Sequence, residues 1–389
     1  MVNEMRLPSP ILYGVGSFAE LGRQTRAYGV KALIVSDPVM EKLGRIDECR
    51  RLLKEAGLDV AVYSDVDREP TDRHVDEALK VCKAENCDVV VAIGGGSAID
   101  AAKAVAVMRT NDGYIGDYMG GRRTFKHAPL PLIAVPTTAG TGSEVTKVTV
   151  IIDTKRDIKM MIADPALVPK VAIVDAELTL SCPKSVIAAS GIDALCHAIE
   201  AYLSRKAHPV TDVWALKAIR LIHEHLPVMY SEKGDLNAHE QTALGAMLAG
   251  AAFSNASVTL IHGMSRPIGA LFHVPHGMSN AMLLPAVLEF TQGYADARMA
   301  EIGRTLRPDL AGSTNQEAAD CVLEEVKRLC KLMNIPNLRD WGIPRDAFER
   351  SLSKMATDAL ASGSPAHHPR QVSAEEIMDL YRICYEYSY

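Results

Sequence analysis

Four side chains in the second half of this 389-residue chain have the types and spacing to hold one divalent ion. Asp193 and His197 are four residues apart in a stretch that reads as helix, so both fall on one face, one turn apart. His262 and His276 lie 14 residues apart, near the ends of segments joined by residues 266–275. Gly263 and Gly277 follow them directly and permit close packing. Three neutral imidazoles with one carboxylate suit Fe2+ or Zn2+, whereas Ca2+ and Mg2+ prefer an all-oxygen shell. A capped helix with core or interface histidines would give the same pattern without a metal. Cys196, beside His197, points about 100° away around the helix and makes a poor fifth ligand.

The first half carries a different chemistry. Gly94-Gly95-Gly96-Ser97 follows the apolar run Val89–Ile93 and precedes a helical stretch. Glycines let the backbone approach a ligand closely, and the amides of a helix start favour a phosphate. Ser97 reads as the helix cap, with Asp100 three residues on. A tight strand–helix turn that binds nothing is the plain alternative. Pro136-Thr137-Thr138-Ala139-Gly140-Thr141-Gly142-Ser143-Glu144 is a second glycine- and hydroxyl-rich loop after an apolar run. Lys159 has the reach to bring a cation to the same crevice. Asp37 ends the run Lys31–Ser36, where a carboxylate accepts ribose hydroxyls and repels a 2′-phosphate, which favours NAD over NADP. The string Gly14–Ala19 matches G-x-G-x-x-A, but only Ile11–Tyr13 precedes it, so a structural turn is expected there.

These groups need elements to hold them. From Lys31 to about Leu180, β-branched runs alternate with helical stretches: strands at Lys31–Ser36, Val60–Tyr63, Val89–Ile93, Leu132–Pro136, Val148–Asp153 and Val171–Asp175, and helices at Val39–Leu53 (interrupted at Gly44), Thr71–Ala84 and Ala98–Met108. That order predicts a mostly parallel sheet with helices on both faces. After Cys182 the chain reads as all helix: Lys184–Tyr202, Pro209–Leu226, His239–Phe253, Asn280–Leu288, Asp296–Leu306, Gln316–Leu332, Arg345–Asp358 and Ala374–Glu386. The fold class is therefore an α/β domain with a mostly parallel sheet over residues 1–182, followed by an all-α domain over 183–389. Net charge −6 gives no broad cationic surface, so nucleic acid is a poor partner. The eight cysteines form no CxxC pair and read as mostly buried free thiols in a reducing cytoplasm. No signal peptide or membrane-spanning run is expected.

Taken together, the glycine turn with Asp100 and Lys103, the loop Pro136–Glu144, the helix Gly191-Ile192-Asp193-Ala194-Leu195-Cys196-His197-Ala198-Ile199-Glu200, and the pairs His262-Gly263-Met264 and Pro275-His276-Gly277 resemble the iron-containing (group III) alcohol dehydrogenases. The resemblance covers essentially the whole chain and implies that residues 1–182 are an α/β dinucleotide-binding domain and 183–389 an all-α metal-binding and catalytic domain. It implies a metal held by Asp193, His197, His262 and His276, with Fe2+ expected and Zn2+ possible. It implies cofactor contacts from Gly94, Gly95, Gly96, Ser97, Asp100, Thr137, Thr138 and Lys159, and agrees with NAD at Asp37. The implied activity is hydride transfer between an alcohol and NAD, giving an aldehyde or ketone, in a cleft between the domains. Homodimers or larger assemblies are implied as well. A lyase of the dehydroquinate-synthase type shares this plan, as would a non-catalytic nucleotide-binding protein with a structural metal.

One position departs from the family pattern. Many members carry a second histidine four residues after the first ligand of this loop, where this chain has Arg266. An arginine stays protonated and cannot relay a proton near pH 7, but its planar fork can clamp a carboxylate. Arg266 therefore either packs outward or pairs with a helix carboxylate, or it biases the substrate toward an ω-hydroxy acid or semialdehyde acid. His273, three residues before His276, is the best substitute proton relay. His367 and His368 follow a loop-like stretch and are expected to face solvent or to be structural.

Overall fold

The computed structural model describes residues 3–232 and 234–389. The chain divides into two units at Cys182–Pro183. The first contains β1 (Ile11–Tyr13), α1 (Leu21–Arg26), β2 (Lys31–Val35), α2 (Pro38–Lys42), α3 (Arg45–Glu55), β3 (Asp59–Tyr63), α4 (Asp72–Ala84), β4 (Val89–Gly94), α5 (Gly96–Met108), β5 (Leu132–Pro136), β6 (Val148–Asp153), β7 (Ile158–Ala163) and β8 (Val171–Val174).

Six of these strands form a parallel sheet in the order β1-β8-β5-β4-β2-β3. Side chains alternate across it. Leu33, Val35, Val90, Ala92, Leu132 and Ala134 enter one apolar cluster with α4 and α5. Ala32, Ile34, Val89, Val91, Ile133 and Val135 enter the other, which includes Leu21, Cys49 and Leu53. Both faces are covered, which is why the strands read as unbroken apolar runs. The chain leaves β2 toward β3 and leaves β4 the opposite way, toward β5. That reversal opens a crevice past the carboxyl ends of β2 and β4, where ligands of open α/β sheets sit.

Val148–Asp153 departs from the expectation. It pairs antiparallel with Ile158–Ala163 in a separate hairpin and not with the main sheet. The fingerprint string Gly14–Ala19 does follow a strand, the short edge strand β1. Its turn is spent internally, because the Phe18 amide donates to Asp175 Oδ2 at 2.9 Å. Gly44, at φ 71°, interrupts the expected helical stretch Val39–Leu53 as the sequence predicts and divides it into α2 and α3.

The second unit is helical: α6 (Lys184–Leu203), α7 (Pro209–Ser231), α8 (Leu236–Ala256), α9 (Leu260–Phe272), α10 (His276–Thr291), α11 (Asp296–Leu306), α12 (Asn315–Leu332), α13 (Arg345–Ala361) and α14 (Ala374–Tyr385). Helix α6 is apolar almost all round because it is enclosed by α7, α8 and α10. It has the length and hydropathy of a membrane span, but 83% of that window is buried inside the protein. Helix α9 has no counterpart among the expected helices. Pro267 lies within it, and the chain turns by 102° between α8 and α9. The eight cysteines are unpaired and all but Cys182 are buried.

Candidate active site

Several groups expected to contact a nucleotide converge on the β2–β4 crevice of the first unit. Gly94 ends β4 with φ 151°, and a Cβ there would lie 2.8 Å from Asp37 Oδ2. A Cβ on Gly96 would lie 2.6 Å from Thr141 Cγ2, and one on Gly95 would meet Thr138 at 3.6 Å. The glycine turn is therefore lined by Asp37, Thr138 and Thr141, and no side chain larger than hydrogen fits Gly94 or Gly96 without displacement. Ser97 is not the cap. Helix α5 starts at Gly96 with Gly95 in the cap position, and no side chain caps it. Its first amides are thus left to a ligand, which suits a pyrophosphate. Asp37 Oδ1 accepts the amides of Val39 and Met40 at 2.9 and 3.0 Å, leaving Oδ2 toward Gly94. Burial raises its pKa, against those two amides.

The remaining expected cofactor residues sit deeper. Thr137 is buried, and its amide donates to the Gly94 carbonyl at 2.9 Å. Asp100 accepts from Ser143 Oγ at 2.6 Å and from the Val150 amide at 2.8 Å. Lys103, fully buried, donates to the Thr146 carbonyl, the Thr146 hydroxyl and the Val148 carbonyl at 2.7–3.0 Å. Burial lowers the Lys103 pKa to about 8, against Asp100 and Glu144, and raises that of Glu144 to about 7. Together these groups tie α5 to the hydroxyl loop and to β6. Lys159 Nζ pairs with Glu69 at 2.7 Å.

In the second unit, one ligand atom from each of Asp193, His197, His262 and His276 lies within 4.8 Å of all the others. Helix α6 presents Asp193 and His197 one turn apart, α9 presents His262 in its first turn, and α10 begins at His276. The rings pack closely: His197 stacks on His262 at 4.4 Å and on Phe253 at 4.3 Å, and His276 meets His262 edge-on at 5.3 Å. A Cβ on Gly277 would lie 2.6 Å from the Ala189 carbonyl oxygen, so only glycine lets α10 approach α6 this closely. Burial disfavours charge here, yet the three imidazoles hold the Asp193 carboxyl well below its usual range. Burial likewise opposes protonation of His262, but Glu200 and Asp193 push its pKa to about 9.

The acceptors of this cluster fit a cation. Asn280 Nδ2 donates to Asp193 Oδ1 at 2.6 Å and faces His262 Nε2 and His276 Nε2 at 3.1 and 3.2 Å. An amide has two hydrogens, so it cannot serve three acceptors that converge on one point. A divalent ion can, and a carboxylate with three imidazoles is a donor set for Fe2+. Asn280 is one turn beyond His276, and Glu200 is seven residues beyond Asp193. Sequence reasoning assigned neither a role, and helical spacing was the only signal available for them.

Other expected residues stand apart from this cluster. His273 is exposed and ends α9 in the left-handed region at φ 54°. Arg266 lies one turn beyond His262 and is half-buried; burial lowers its pKa to about 10, with Glu200 opposing. His368 is buried, not solvent-facing.

The family model for iron-containing alcohol dehydrogenases matches residues 8–176, and the model for the C-terminal part of the Fe-containing alcohol dehydrogenase family matches 187–385. The chain belongs to the iron-containing alcohol dehydrogenase family. The NAD-dependent methanol dehydrogenase of Bacillus methanolicus is 36% identical to it over 376 residues, 96% of this chain and 97% of the relative. The 1,3-propanediol dehydrogenase of Citrobacter freundii is 36% identical over 380 residues, 97% of each. A crystal structure of 1,3-propanediol oxidoreductase superposes with a TM-score of 0.94 at 34% identity, covering 99% of this chain and 100% of that one. This iron-containing alcohol dehydrogenase is thus a metal-dependent, NAD-linked oxidoreductase acting between alcohol and aldehyde groups.

Proposed function

We propose that the enzyme reversibly oxidises short primary or secondary alcohols and diols to aldehydes or ketones, with NAD+ as acceptor and Fe2+ as the resident ion. The convergence of four ligand atoms within 4.8 Å carries this reading. Similarity to a methanol dehydrogenase and a propanediol dehydrogenase supports small, uncharged substrates. When bound, the ion supplies Lewis acidity that eases loss of the alcohol proton, and the nicotinamide takes up the hydride.

The chain's own residues do the rest. Asp193, His197, His262 and His276 hold the ion in a dry pocket. The amides of Gly95–Ser97 take the pyrophosphate, and Asp37 takes the adenosine ribose and turns away a 2′-phosphate. Thr137 and Thr138 flank the turn, Asp100 fixes the loop behind it, and Lys159 orients the cofactor from its pair with Glu69. His273, exposed at the end of α9, passes the released proton to water. The unpaired thiols support a reducing, cytoplasmic setting. Like its family, the enzyme is expected to form homodimers or larger homo-oligomers.

The test is incubation of the metal-loaded protein with NAD+ and a panel of short alcohols, diols and ω-hydroxy acids, read as NADH absorbance. Turnover of neutral alcohols with Fe2+ above Zn2+ is expected; no NADH with either ion and any alcohol overturns the reading. A second substrate class, ω-hydroxy acids, rests on Arg266 as a cation one turn from His262. Under that reading Arg266→Gln loses kcat/KM on acids alone, whereas equal losses on acidic and neutral alcohols remove it.

A further inference from the structure

Two of the four ligands, His262 and His276, lie at the starts of α9 and α10. Helix α9 begins with no side-chain cap from its own cap residue, Thr259. The missing acceptor comes from α6. Glu200 Oε1 accepts the Ile261 amide and the Thr259 hydroxyl, both at 2.7 Å, and Oε2 accepts His262 Nδ1–H. Glu200 lies on the α6 face that carries Asp193 and His197, at i+7 and i+3. It is 1% exposed. A single carboxylate therefore caps α9, fixes the bend before it and holds the His262 Nδ1 proton, leaving Nε2 as the nitrogen that faces the ligand cluster.

The chain of contacts continues away from the centre. Thr259 Oγ1, having donated to Glu200, faces His368 Nδ1 at 3.3 Å, and His368 Nε2 faces Thr291 Oγ1 at 3.3 Å. His368 is 2% exposed, and burial lowers its pKa to about 4, so it is neutral and has one N–H to give. That N–H has an acceptor on either side, Thr259 Oγ1 and Thr291 Oγ1, since both hydroxyls give their own hydrogens elsewhere, to Glu200 and to the Val287 carbonyl. The turn that carries His368 is pressed onto α9: a Cβ on Gly263 would lie 2.6 Å from Pro365 Cγ. The Arg205 amide, just past α6, donates to the His367 carbonyl at 2.8 Å.

We infer that Glu200 is a positioning residue of the metal centre, and that His368, through Thr259, anchors it from the far side. The inference rests on His262 being a metal ligand, as proposed above. Outer partners of this kind change metal affinity about 10–100-fold when removed.

Glu200→Gln is the sharpest probe. Its amide oxygen can still accept from Thr259 and Ile261, but its NH2 then faces His262 Nδ1 and stabilises the opposite tautomer, with the proton on Nε2. Co2+ and Fe2+ affinity, measured by chelator competition without NAD or alcohol, should fall about 10–100-fold, and the visible spectrum of the Co2+ form should change. NADH binding and the thermal midpoint of the apo-protein report folding. His368→Leu should lower affinity about 3–10-fold, with His368→Gln, which keeps a donor, restoring much of it. Should Glu200→Gln not fold, Thr259→Val is read in the same way, with a several-fold loss expected. A folded variant that binds Co2+ with wild-type affinity and an unchanged spectrum overturns the inference alone. A wild-type protein that binds neither ion overturns the metal-centre reading as well.

Discussion

At the nucleotide crevice the groups aimed at the ligand are backbone amides and hydroxyls at the ends of two neighbouring strands, with glycines clearing the space. At the metal centre they are side chains from three helices, and the backbone only sets their spacing. The first kind of site comes from contiguous sequence and fails by steric intrusion. The second comes from distant residues and fails by loss of a ligand or of the group that orients it. Their charges are handled differently too. The buried Lys103 and Asp100 are met by hydroxyls and backbone of the loop and β6, with Glu144 as a charge acting on Lys103, whereas at the metal cluster one carboxylate and three imidazoles converge to within 4.8 Å of one another.

That contrast can be broken most strongly at the cluster. His276→Ala should lower kcat by about 1,000-fold or more, since an ion's Lewis acidity is worth several kcal/mol. NADH binding should be unchanged; a parallel loss of NADH binding would contradict separate modes of recognition. The next effect is steric. Gly96→Val puts a branched side chain where Thr141 Cγ2 would be 2.6 Å from its Cβ, and should weaken NAD about 100-fold, or about 2.7 kcal/mol, with metal content intact. Isothermal titration checks it, and a change below threefold would count against the cradle.

Glu144 sharpens the comparison through pH. The unfolded carboxyl releases its proton near 4.5 and the folded one near 7. Its contribution to stability is therefore full below 4.5 and is lost as pH rises through 7. Glu144→Gln stays neutral, so its stability relative to wild type should improve between pH 5 and pH 7.5 by about 2 kcal/mol. Denaturant titrations at the two pH values read this, and a flat difference would contradict it. The smallest effect is at Asp37. Asp37→Ser removes an anion beside Gly94 and should shift the NAD:NADP ratio of kcat/KM about tenfold toward NADP, or about 1.4 kcal/mol.

The parts legible in the sequence were those encoded locally. The parallel sheet followed from apolar runs alternating with helices, and the glycine turn from four adjacent residues. Residues 158–163 were not read as a strand, because they pair only with β6 in a two-stranded hairpin and carry no buried run. Helix α9 was hidden by Pro267, which a helix interior disfavours and which lies here among buried neighbours. Ser97 looked like a cap by residue type, yet the helix starts one residue earlier, at Gly96. The roles of Asn280 and Glu200 depend on partners as far as 87 and 62 residues away, and a pattern search along one chain does not see such pairs. Of the two places expected for His368, solvent or structure, the fold takes the second, because the loop-like stretch before it is pinned by α9.

The most direct test is an anaerobic Fe2+ titration of chelator-stripped protein, beside Asp193→Ala, His197→Ala, His262→Ala and His276→Ala. One ion per chain is expected in the wild type, with each variant at least about tenfold weaker in affinity. Any one of the four that still binds Fe2+ as the wild type does would show that its side chain is not a ligand, and the account of the centre would fail at that residue.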